Sequence, residues 1–83
     1  MVVKIERTKP RAGGYEEPCL YEGGYQLADP AAGPDWHKVE NATFVQTLEQ
    51  AAGLIEQRGF AIRMSCKGKR PSLIRPSGIR VIR

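Results

Sequence analysis

The stretch TLEQAAGLIEQRGFAIRMSCK, residues 47–67, changes its hydrophobic period at Gly59, and that change decides the fold. Leu48, Ala51, Ala52 and Ile55 recur at i, i+3, i+4 and i+7, one face of a helix, with Glu49, Gln50, Glu56 and Gln57 outside it. Thr47 stands where it can cap that helix, and Gln50, three residues on, can bond back to it. Arg58 complements the negative end of the helix dipole and Gly59 supplies a left-handed stop, so the spacing predicts a helix over about 47–58. Gly53 within it costs about 1 kcal/mol against alanine, which predicts a close approach to a sheet there. Beyond Gly59, Phe60, Ile62, Met64 and Cys66 alternate with Ala61, Arg63, Ser65 and Lys67, the period of a strand with one core side and one basic side.

Working outward, Ala42-Thr43-Phe44-Val45 is β-branched and aromatic and reads as a strand feeding the helix. Thr47-Leu48-Glu49-Gln50-Ala51-Ala52 resembles the opening helix of helix-turn-helix excisionases over that stretch alone. Those domains continue into a second helix, whereas Gly59 here leads straight into the alternating strand, and no residue roles carry over. Downstream, residues 67–72 turn the chain, Leu73 and Ile74 form a short strand stopped by Pro76, and Ile79 to Ile82 reads as a last strand. Upstream, Val3 and Ile5 alternate with Lys4 and Glu6, a strand over about 2–7 that Pro10 ends. Four prolines and five glycines between Pro10 and Trp36 read as a long loop over 10–36, with a small hairpin at Tyr21-Glu22-Gly23-Gly24-Tyr25 whose paired glycines supply positive φ. The expected class is α+β: a small antiparallel sheet of about four or five strands, one helix packed on one face, and this Gly/Pro/Tyr-rich loop.

A chain of 83 residues has room for one core, so residues 1–83 are expected to form one domain. Hydrophobic residues at 41% and charged residues at 27% are ordinary globular usage, and no apolar run approaches the ~20 residues of a membrane span. Residues 1–11 lack the apolar stretch of a secretory signal, which makes the cytoplasm the expected location. Cys19 and Cys66 are expected as free thiols. The net charge of +4 hides a division: residues 1–11 hold four bases and one acid, 12–56 hold eight acids against Lys38 alone, and 57–83 hold eight bases and no acid.

Motifs for chemistry are few. Gly68-Lys69 ends like a phosphate-binding loop, but Arg63 stands where that loop needs glycine and Arg70 where it needs Ser or Thr. His37 is the single histidine, so a Cys-His nucleophile pair or a zinc set would have to be assembled through the fold from Cys19 or Cys66, and a packed Cys66 is the simpler expectation. Glu16 and Glu17 are adjacent carboxylates that read as a solvated face. Two surfaces remain. If Phe60, Ile62, Met64 and Cys66 face the core, Arg63 and Lys67 face away from it, with Lys69 and Arg70 on the adjacent turn, Arg75 nearby and Arg80 joining from the last strand: a face for a polyanion. Tyr15, Tyr21, Tyr25 and Trp36 form an aromatic set inside the acidic stretch.

These features point to a non-catalytic binding protein without cofactor or metal, acting on a macromolecular partner. That partner is a protein, a second copy of the chain as a homodimer, or nucleic acid on the basic face, and not a membrane. A cationic small ligand on the aromatic, acidic segment is the other alternative. The distance in sequence between the aromatics and the arginines counts against a base-stacking platform, which interleaves the two.

Overall fold

The structure, a computed structural model, describes residues 2–9, 16–66 and 70–83, and of Cys66 the backbone alone. In chain order these form β1 (Lys4–Arg7), β2 (Glu16–Pro18), β3 (Leu20–Tyr21), β4 (Gly24–Ala28), β5 (Thr43–Val45), α1 (Leu48–Arg58), β6 (Ala61–Cys66), β7 (Ser72–Ile74) and β8 (Ile79–Ile82). The α+β class is as the sequence predicts. Strands β2 to β7 make one antiparallel sheet, in which β4 pairs with β3, β5 and β6, and β6 with β2, β4 and β7. β1 and β8 pair separately as a two-stranded ribbon. No helix among the described residues is long and apolar enough to cross a membrane.

The loop expected over 10–36 contains β2, β3 and β4, which raises the strand count above the four or five expected. β4 is well enclosed, with Leu27 fully buried and Ala28 nearly so. The hairpin at 21–25 forms, but its turn is Glu22-Gly23 and not the glycine pair. Both turn residues have positive φ, 49° and 78°, as the favoured two-residue hairpin turn requires, while Gly24 opens β4 opposite Tyr21.

α1 starts on a reciprocal cap. The Gln50 backbone N–H donates to Thr47 Oγ1 at 3.1 Å, and the Thr47 N–H donates to Gln50 Oε1 at 3.2 Å. It stops at Gly59, φ 71°, whose N–H returns to the Ile55 carbonyl. Ala51, Ala52 and Ile55 are buried. Gly53 does not serve a close approach, because a β-carbon built there meets no atom within 4 Å. Gly53→Ala is therefore expected to raise the unfolding free energy by about 1 kcal/mol, seen as a higher denaturant midpoint at unchanged slope. A lower midpoint would mean that the helix requires glycine there.

One core joins the three layers. Leu27, Ile62, Met64 and Ile74 come from the sheet, Ala51 and Ile55 from α1, Ile5 from β1, and Phe60 from the link into β6. Ile79 and Val81 of β8 pack against it, so the ribbon and the helix share this core. Arg7 lies opposite Ile79 and shares this inward face with Ile5. Its guanidinium reaches Glu16 of β2, donating to both carboxylate oxygens at 2.9 and 3.1 Å. The Glu16 side chain is 2% exposed, so the expected solvated pair of carboxylates is corrected: Glu17 is exposed, and Glu16 is a buried ion that ties the ribbon to the large sheet.

Candidate functional site

Strand register sorts the side chains of the large sheet. Residues directly opposite one another share a face, as do residues two apart along a strand. Leu27, Ile62, Met64 and Ile74 define the core face. The alternate positions Tyr21, Gly24, Gln26, Phe44, Arg63 and Leu73 therefore lie on the outer face. Phe44 stands opposite Gln26, and Arg63 opposite Leu73. Gln26 and Arg63 are joined across β4 and β6 by a 2.9 Å bond from Arg63 Nε to Gln26 Oε1, which fixes the guanidinium on the outer face and satisfies a buried amide oxygen.

Two aromatic rings flank Gly24 on this face. Tyr21 is 57% exposed and Phe44 49% exposed, both high for large apolar side chains. Phe44 leans onto the Gly24 backbone, since a β-carbon built on Gly24 lies 3.4 Å from Phe44 Cδ2. A larger residue at 24 would lift the ring away. Leu20, 62% exposed, sits beside Tyr21 at the sheet margin.

The basic residues do not share one face, as alternation alone predicts. Arg63 lies on the outer face of the large sheet. Arg80 does alternate with Ile79 and Val81, but on the separate ribbon, opposite Glu6. Arg75 stacks over Trp36, its guanidinium carbon 5.1 Å from the ring centroid, and Arg70 is exposed. Lys67, Lys69 and Tyr15 lie outside the described residues. Of the other C-terminal cations, Arg58 lies over Phe60 and Arg83 bonds both carboxylate oxygens of Glu56, the longer contact at 2.8 Å. Those bonds hold the Glu56 carboxyl below its ordinary range and raise Arg83.

The four aromatics expected as one surface are also divided. Tyr21 faces outward, Tyr25 packs against the core on the opposite face, and Trp36 lies in the 29–42 connection against Arg75 and, edge-on, His37. Tyr25 also lines a small cleft of about 280 Å3 between the ribbon, β2 and the start of α1. Glu6 and Glu17 stand there with Lys4, which offsets one of the two acids and weakens the cleft as a pocket for a cationic ligand. Among the described residues no three His, Cys, Asp or Glu side chains come together as a metal-ligand set.

Sequence reading passes over Phe44 and Gln26. Phe44 sits in a segment correctly read as a strand, but its outward direction follows only from pairing with β4, itself hidden in the presumed loop. The comparisons found no matching protein-family model, no similar curated protein and no matching solved structure.

Proposed function

We propose that the protein is a non-catalytic binding protein that holds single-stranded nucleic acid on the outer face of its large sheet. Bases stack on Tyr21 and Phe44, and phosphates lie against Arg63. The observation that carries this is the register: two exposed rings from the acidic half of the chain share a face with an oriented arginine from the basic half. The rings and Arg63, separate in sequence, thus share one sheet face, which is what a sheet platform for unpaired bases requires. Duplex DNA keeps its bases stacked on one another, so exposed rings favour a single strand. The two-cysteine composition, few for a small secreted domain, supports a cytoplasmic protein.

Base–aromatic stacking is worth about 1–3 kcal/mol per base. The double variant Tyr21→Ala/Phe44→Ala is therefore expected to bind labelled single-stranded oligonucleotides at least about tenfold more weakly in anisotropy titrations, with its thermal midpoint little changed because both residues are exposed. Wild-type affinity should fall steeply with salt and be weaker for duplex than for single strands. Absence of wild-type binding at low salt, or equal binding by the double variant, refutes the proposal. A second reading, a polypeptide added along β5, is favoured by that strand's having one neighbour, β4, among the described residues; light scattering tests its simplest form, a homodimer.

A further inference from the structure

At the hairpin end of the outer face, a cleft of about 360 Å3 opens between the β3–β4 turn and the end of β5, lined by Glu22, Gly23, Gly24, Phe44, Val45 and Gln46. It is at the small end for a ligand pocket, typically about 300–1,000 Å3, and suits one flat ring system. Phe44 supplies a flat wall. Gly23 and Gly24 present bare backbone, and Glu22 brings the cleft's one carboxylate. Glu22 is also the one described non-glycine residue with positive φ, at a turn position where Asn, Asp or Gly is at ease. Those residues adopt this conformation at less cost than glutamate, so the turn carries a costlier side chain at the cleft's edge.

We infer that this cleft seats a single nucleobase bearing an exocyclic amino group, cytosine, adenine or guanine in preference to uracil or thymine, with the ring on Phe44 and the amino group donating to Glu22. The inference rests on the nucleic-acid reading above. An ionised carboxylate accepts hydrogen bonds and donates none, so it pairs with an exocyclic amino group, on C4 of cytosine, C6 of adenine or C2 of guanine, and repels the C4 carbonyl that uracil and thymine carry where cytosine has its amino group. It also repels phosphate, which sends the sugar–phosphate chain away from the turn and toward Arg63.

The test compares labelled oligo(dC) and oligo(dU), two pyrimidine strands that differ at this group, in anisotropy titrations with the whole chain. Wild type is expected to prefer oligo(dC) by about tenfold, the low end of base-edge discrimination. Glu22→Gln should bring the ratio to within about twofold without weakening oligo(dU). Glu22→Asn, better suited to the turn, should do the same, so a folding defect cannot imitate the result. Equal wild-type binding of the two strands, or a preference that survives both substitutions, overturns the inference while leaving the stacking platform standing. Absence of binding to either strand overturns both.

Discussion

Replacing Arg7 with methionine is expected to destabilise the protein by about 3 kcal/mol or more, the cost of stranding a buried carboxylate without its partner. The Glu16 side chain is 2% exposed, and both its oxygens accept from the Arg7 guanidinium, whose own side chain is 25% exposed. Methionine keeps most of the volume and removes the charge, so the loss is electrostatic more than a packing defect. Adding Glu16→Gln should return much of the stability by removing the uncompensated ion. Urea unfolding of the two variants measures this. A single variant as stable as wild type would mean that water hydrates Glu16 and that the ribbon is held by Ile5, Ile79 and Val81 alone.

Leu27→Ala is expected to cost about 2–5 kcal/mol, the range for truncating a fully buried leucine in a core that cannot collapse around the gap. Leu27 lies opposite Ile62 on one side of β4 and Thr43 on the other, where three strands meet over the helix. Stabilities of small domains are roughly 5–15 kcal/mol, so either loss is a large fraction of the whole. A cost below about 1 kcal/mol would return residues 24–28 to the status of a loop lying on a sheet made elsewhere.

What the sequence disclosed follows from what is local. α1 and β6 were legible because a 3.6 period gives way to a period of two at Gly59, and both the Thr47–Gln50 cap and the Gly59 stop are decided within a few residues. β4 was not legible. Tyr25 and Leu27 alternate correctly, but Gly23-Gly24 before them and Pro30 after them carry the punctuation of a loop, and a central strand is specified by its neighbours more than by its own residues.

The site was harder still. Arg63 reads as outward facing from its own strand. Arg80 followed the same rule yet belongs to another sheet, because strand alternation gives a side and never a partner. Tyr21 and Phe44 were separated by the same limit, since their common face exists only through their pairing with Gly24 and Gln26. The Arg7–Glu16 pair joins residues nine apart from two different sheets, and nothing in an acidic doublet distinguishes the buried carboxylate from the exposed one.

The outer face is tested most directly by amide chemical-shift mapping of the labelled protein as a single-stranded oligonucleotide is added near physiological salt. Saturable shifts concentrated at Tyr21, Gly24, Gln26, Phe44 and Arg63, with the β1–β8 ribbon unmoved, are the expected result. Shifts confined to the ribbon around Lys4 and Arg80, or none at all, would contradict a nucleic-acid site on the large sheet.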